Sequence, residues 1–253
     1  MIHSITHYYI PYRLLHTSIA FWKRHPMYGK LFLCMGLMLM TFCTTLSAKT
    51  MAEIWKSMPD SIAPYLESQQ RQEMPEFASM HLDGSVDNLL NGKSRMDTLT
   101  NEYIHVLFNQ ARSLELRRLP LYGQDSIICF VETWTISSSD KNIVPNGESC
   151  VRFFTQDWKE LSTTRFLGVS SINDFANDLT AKPDTMSEEA FKALRAKIDP
   201  LMVLADLKAE DGTLSLKLSL PLLSLSDCRE LRQILVTRQL TWKNGSYHTD
   251  SWQ

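Results

Sequence analysis

Leu214, Leu216, Leu218 and Leu220 alternate with Ser215, Lys217 and Ser219. That period of two belongs to a strand with one buried face. SLELRRLPL, Ser113 to Leu121, alternates in the same way and ends at a Pro followed by a Tyr-Gly turn. DSIICFVETW, Asp125 to Trp134, is almost continuously apolar, so it reads as a central strand buried on both faces. SCVRFF, Ser149 to Phe154, alternates into the turn TQDWKEL, whereas EYIHVLFN, Glu102 to Asn109, fits helix or strand equally. Asn91-Gly92, Asn146-Gly147, Asp211-Gly212 and Asn244-Gly245 each separate two such runs. These dipeptides favour the type I′ hairpin turn, because both residues tolerate positive φ.

A period near 3.6 marks fewer segments. SQQRQEMPEFASMHL starts at an N-cap candidate, Ser68, sets Met74, Phe77, Ala78 and His81 on one face, and should bend at Pro75. MSEEAFKALRAKI starts at Ser187, with Glu188 and Glu189 against the helix dipole and a stripe of Phe191, Leu194 and Ile198. Ser226-Asp227 should cap CRELRQIL, and a short helical link is expected at SINDFANDL. AEIWKSMPDSIAPYL, Ala52 to Leu66, cannot form one smooth helix, because Pro59 and Pro64 lack donors and clash in a helix interior. It reads as two short turns, the second capped by Ser57 and served by Asp60, with Trp55 and Ile62 buried.

Helical runs followed by runs of strand argue for an α+β fold, helices packed on antiparallel sheet, rather than a parallel βαβ sheet. ANDLTAKPDTMS, Ala176 to Ser187, is the linker candidate. It divides residues 49–178, an N-terminal α+β module, from residues 187–253, a C-terminal one.

Residues 1–48 read as leader. The apolar run LFLCMGLMLMTFC, Leu31 to Cys43, follows Lys30 and precedes the small-residue stretch TTLSA. This is the order of a signal peptide, with cleavage after Ala48 or Ser47. The run is shorter than the ~20 residues that span a bilayer, so no membrane span is expected after cleavage. Met27 is a second candidate start. Phe42 before Cys43 does not fit a lipoprotein box. The expected location is therefore exported, periplasmic or secreted.

Charge narrows the partners. Four of the 26 basic residues and none of the 28 acidic ones precede residue 49, so the mature part carries a net charge of −6. That excludes the electrostatic footprint of a nucleic-acid binder. Three cysteines remain, Cys129, Cys150 and Cys228, too few and too odd for a disulfide framework.

Catalytic and cofactor motifs are missing. There is no GxGxxG, P-loop, HExxH, CxxC or GxSxG; GVSSI, Gly168 to Ile172, lacks the second glycine of a nucleophile elbow. The mature histidines, His81, His105 and His248, have no ligand-spaced neighbour, so neither metal nor cofactor is expected. The pairs Glu73/Glu76, Glu188/Glu189 and Asp206/Glu210 read as solvated faces and helix starts. Trp158 and Trp242 precede turns, where an exposed ring can stack on a sugar or anchor a partner. With His105 and His248 they form the list of candidate binding residues.

AEIWKSMPDSIAPYL, NGKSRMDTLT (Asn91 to Thr100), SLELRRLPL, DSIICFVETW and FFTQDWKEL (Phe153 to Leu161) together resemble a family of exported Bacteroidetes proteins, domain of unknown function 3256. The resemblance covers most of the mature chain. It implies an exported α+β protein and no activity, since that family brings no catalytic residues with it. Without a catalytic constellation, the reading is a non-enzymatic binding or interaction module for a protein, peptide or glycan of the cell envelope. Such a module should expose an apolar patch or an open sheet edge. The alternative is an envelope hydrolase on glycans or peptides, which needs a cleft with two carboxylates or a Ser or Cys beside His105 or His248.

Overall fold

The computed structural model describes residues 49–82, 84–136, 146–220 and 223–249. Two helices, α1 (Met51–Lys56) and α2 (Ser68–Ser79), precede a seven-stranded antiparallel meander. Its strands run in chain order: β1 (Ser85–Asp87), β2 (Lys93–Leu99), β3 (Tyr103–Asn109), β4 (Arg112–Leu121), β5 (Gln124–Ile136), β6 (Asn146–Thr155) and β7 (Glu160–Leu161). Helix α3 (Thr163–Leu167), the 3-10 helix η1 (Ile172–Leu179) and α4 (Glu188–Arg195) then lead to β8 (Met202–Leu207) and β9 (Leu214–Ser219). Helix α5 (Leu225–Leu231) and the hairpin β10 (Arg238–Lys243)–β11 (Ser246–Thr249) complete a second sheet, in the order β11-β10-β9-β8. Among the described residues no helix is long and apolar enough to cross a membrane.

The apolar run in β5 decides the layering. Ile128 and Phe130 face one way, with Ile104, Val106, Leu114, Leu116 and Phe154, under Trp55, Met58, Leu66 and Met74 of the leading segment. Ile127, Cys129 and Val131 face the other way, with Val151 and Phe153, against Val203, Ala205, Leu207, Leu214 and Leu216 of the second sheet. Three layers result: helices, large sheet, small sheet. The expected modules meet here, because the second core is built jointly from both sheets, and Lys49–Gln253 form one compact unit. The segment at 176–187 is no free linker. Thr180 bridges Leu235, and the Ala181 N–H donates to the Ile234 carbonyl at 2.8 Å.

The opening segment breaks where its prolines require. Thr50 caps α1 in a reciprocal box with Glu53. The second turn starts at Pro59, with the Ile62 N–H on the Pro59 carbonyl at 3.0 Å. Trp55 is buried and Ile62 half-buried. Two assignments change. Ser57 ends α1 and donates to the Ile54 carbonyl at 3.0 Å rather than capping a new turn. Asp60 pairs with Arg71, a buried guanidinium that also donates to the Leu66 carbonyl. Elsewhere, Glu67 rather than Ser68 stands at the N-cap of α2, and Ser224 rather than Ser226 caps α5. His81 lies past the end of α2, exposed.

Of the four glycine dipeptides, Asn244-Gly245 forms the two-residue turn. Both residues have positive φ, 54° and 84°, and Lys243 pairs with Ser246. Asp211-Gly212 closes a longer loop, with Gly212 alone at φ 74° and Asp211 accepting from the Thr213 N–H at 2.8 Å. Asn146-Gly147 lies inside β6; a Cβ on Gly147 would stand 2.0 Å from the Trp134 carbonyl oxygen. Cys129 and Cys150 lie on neighbouring strands but out of register, opposite Phe153 and Glu132, and both are free.

Asn88 organises the β1–β2 loop from inside. Its Oδ1 accepts from the Leu90 and Gly92 N–H groups, each at 3.0 Å, and its Nδ2 donates to Ser94 Oγ at 3.0 Å and the Phe108 carbonyl at 2.8 Å. Asn88→Ala removes the acceptor of the Leu90 and Gly92 N–H groups and one of two donors to the Phe108 carbonyl, which keeps the Ser94 hydroxyl, so it should cost about 1–3 kcal/mol. A urea titration would register this as a lower midpoint with an unchanged slope.

Candidate functional site

The small sheet rests on β5 and β6 and leaves part of the same face of β3 and β4 open. Strand register decides which side chains stand there. Pairs His105↔Glu115, Ser113↔Thr133 and Glu115↔Val131 set odd-numbered residues of β3, β4 and β5 on one face. The result is a cleft of about 380 Å³. Tyr103, His105, Ser113, Glu115, Thr133 and Thr135 form its floor; Leu204, Ala205 and Asp206 of β8 its wall; Lys217 of β9 reaches its edge.

Two polar pairs occupy the floor. The Tyr103 hydroxyl donates to Glu115 Oε1 at 2.7 Å, and the Leu207 N–H donates to Glu115 Oε2 at 3.4 Å. Burial pushes the Glu115 carboxyl up to about 7. The Tyr103 bond opposes that shift, and the negative charges of Asp206 and Asp97 add to it. Burial and the neighbouring Glu115 charge also push the Tyr103 phenol up. In the second pair, His105 Nδ1 lies 2.8 Å from Asp97 Oδ1. Asp97 is the extra residue of a bulge between Met96↔Val106 and Thr98↔His105. The bulge is what turns a carboxylate of β2 toward the imidazole.

The wall is held by side chains from below. The outer edge of β8 offers the Ala205 N–H and carbonyl, and Ser149 Oγ meets both, at 3.0 and 3.4 Å. Thr133 Oγ1 meets Ser149 Oγ at 2.7 Å. Arg117 donates to the Ala209 carbonyl and, at 3.2 Å, to that of Glu210. Glu115 completes this row through Leu207. An edge strand that would otherwise invite pairing is thereby satisfied within the chain.

The candidates named from the sequence separate. His105 lines the cleft. His248 is exposed on β11, its Nε2 3.0 Å from Ser246 Oγ. Trp158 is buried against Phe154, with backbone φ of 62° and its indole N–H on the Ile54 carbonyl at 2.9 Å. Trp242 is half-buried between Phe166 and Tyr247, donating to the Pro120 carbonyl at 2.9 Å. Neither indole offers the free face expected of it at a turn, because each is used to fasten one segment to another. Glu115, Tyr103, Asp97, Lys217 and Asp206 are not among those candidates; the sequence presents Asp206 only as half of a solvated pair with Glu210. In SLELRRL a glutamate between two leucines reads as the wet side of a strand, and nothing local reveals a second sheet above it. Among the described residues no group of three or more His, Cys, Asp or Glu is arranged to hold a metal ion.

The edges of the large sheet are short, three residues in β1 and two in β7; the small sheet ends in β8 and in the four-residue β11. Exposed apolar side chains do occur at the large sheet, Trp134 on β5 and Leu89 and Leu90 in the β1–β2 loop among them. Arg112 lies 4.0 Å from the Tyr65 ring centre and 5.3 Å from that of Trp134, which is 40% exposed, with Leu89 and Leu90 nearby in sequence to β1.

The fold is similar to that of a domain of an uncharacterized protein from Porphyromonas gingivalis W83. The TM-score is 0.63 at 21% identity, covering 81% of this chain and all of that one. At that identity the likeness concerns the fold alone. No curated protein matches the chain. The model of one family, described as protein of unknown function (DUF3256), matches residues 43–247. With four-fifths of its length inside that match, the chain belongs to the DUF3256 family.

Proposed function

We propose that the chain is an exported, non-enzymatic binding module, and that the cleft between its sheets takes an amine-bearing segment of an envelope peptide or protein. The leader pattern of residues 31–48 supports export. One observation carries the binding site: a concave cleft in which Glu115 and hydroxyls on the floor face Asp206 in the wall, with Asp97 behind His105 as a third carboxylate nearby. Rigid strands hold such groups in fixed positions. Asp97 and Glu115 already have partners, whereas Asp206 is exposed and makes no hydrogen bond or ion pair among the described residues. It is the natural contact for an ammonium group. A glycan fits less well, since sugar faces call for an exposed aromatic ring and Tyr103, the phenol ring of this cleft, is buried.

The test is calorimetric, with the probe Ala-Lys-Ala and its Nε-acetylated form. The first should bind and the second should not. Asp206→Asn should weaken binding about tenfold, the loss of one charge-assisted contact. The lysine stays charged to about pH 10, while Glu115 gains its charge as pH rises through about 7. Affinity should therefore rise from pH 6 to pH 8. Equal binding of both peptides, or a flat pH profile, would count against the site.

The hydrolase reading retains one supporting observation, the Asp97–His105 pair in a cleft that also holds Ser113. In that reading Asp97 orients the imidazole, His105 takes the proton and Ser113 attacks an acyl group. Its signature is covalent labelling of Ser113 by a fluorophosphonate, absent in His105→Gln.

A further inference from the structure

A second cavity lies on the far side of Lys217, between β9, α5 and the segment before β10. Its volume is about 190 Å³. Leu218, Leu220, Leu235 and Val236 make it apolar, and the Cys228 thiol stands in its wall. Lys217 and Arg232 line it, with Asn146 and Thr237, and among the described residues no carboxylate does. Among the described residues neither cation makes a hydrogen bond or ion pair. The carboxylates nearest in sequence are engaged elsewhere: Asp227 and Glu230 both bind Lys197, at 2.8 and 2.7 Å.

A mainly apolar cavity with two cations and, among the described residues, no anion is complementary to a short apolar chain ending in a carboxylate. We infer that this cavity is a binding site for a small aliphatic monocarboxylate, its chain among Leu218, Leu220, Leu235 and Val236 and its carboxylate between Lys217 and Arg232. The apolar walls supply affinity through burial, a fraction of a kcal/mol to about 1 kcal/mol per methylene, and the guanidinium fork supplies direction. The site is separate from the proposed peptide cleft, although Lys217 borders both.

Cys228 provides a local reporter. Its thiol is half-buried in the cavity wall, 3.9 Å from the Leu223 carbonyl oxygen. The probe is hexanoate, with hexanol as the uncharged control. Iodoacetamide alkylation of the full chain is followed residue by residue by mass spectrometry. Hexanoate should slow alkylation of Cys228 several-fold and leave Cys150, on β6, unchanged. Arg232→Met should weaken that protection about tenfold in hexanoate concentration, as the loss of a charge-assisted contact does. Arg232 is exposed, and its replacement should leave the melting temperature of the chain unchanged. Three results would each overturn the assignment: no slowing by hexanoate, equal slowing by hexanol, or equal slowing in Arg232→Met.

Discussion

Glu115→Gln should stabilise the protein at pH 8 and have little effect at pH 5. Glu115 holds its proton to about pH 7 in the fold and releases it near the ordinary 4.5 when unfolded. The folded state therefore binds more protons than the unfolded one between those values, and stability falls as pH rises through that window. The shift is worth on the order of 3 kcal/mol at pH 8. The groups facing Glu115 are Tyr103 and His105 on β3, Asp97 on β2, Arg117 on its own strand and Asp206 with the Leu207 N–H on β8. Asp97 and Asp206 add to the shift, so they strengthen the trend. Glutamine keeps one bond, its Oε1 accepting from the Leu207 N–H, and reverses the other, its Nε2 donating to the Tyr103 oxygen. Melting curves from pH 5 to pH 8 should descend for the natural chain and run flatter for the variant. Parallel curves would mean that Glu115 does not hold its proton in the fold.

Trp158→Ala should cost about 3–5 kcal/mol, the range for truncating a buried aromatic side chain. Trp158 joins parts of the molecule that are far apart in sequence. Its ring packs on Phe154, and its indole N–H reaches the Ile54 carbonyl in α1, at the other end of the meander. It does so from a left-handed backbone, φ 62°, which a bulky residue holds only when packing compensates. Trp158→Phe separates the contributions. The Ile54 carbonyl keeps the Ser57 hydroxyl as a donor, so losing the indole bond should cost only about 1 kcal/mol, plus what the smaller ring leaves unfilled. Chemical denaturation of both variants checks the order. A Trp158→Ala chain as stable as the Phe variant would place α1 outside the cooperative unit.

These two residues also mark where sequence reading succeeds and stops. The alternation of Leu214 to Leu220, the continuous run in β5 and the broken helix around Pro59 are local patterns, and the structure repeats them closely. The α+β class followed from their order. The layering did not, because a strand with one apolar face says nothing about what covers the other. Cys129 and Val131 face a second sheet, and so does Glu115, the register partner of Val131 on the neighbouring strand, the first two as core and the last as cleft floor. The tryptophans were misplaced for a related reason. A tryptophan beside a turn is exposed only if nothing returns to cover it, and α1 returns to Trp158 from a hundred residues away. His105 was singled out without its partner, since a β-bulge at Asp97 has no signature in NGKSRMDTLT.

The most direct measurement of the central claim is a methyl and amide shift map of the isotopically labelled chain with Ala-Lys-Ala. Thr133, Thr135, Leu204 and Ala205 report on the floor and wall of the cleft, Leu89, Leu90 and Trp134 on the exposed apolar side chains at the large sheet. Perturbations should concentrate on the first group, saturate, and vanish when the lysine is acetylated. Shifts confined to the second group, or none at all, would contradict a ligand site between the sheets.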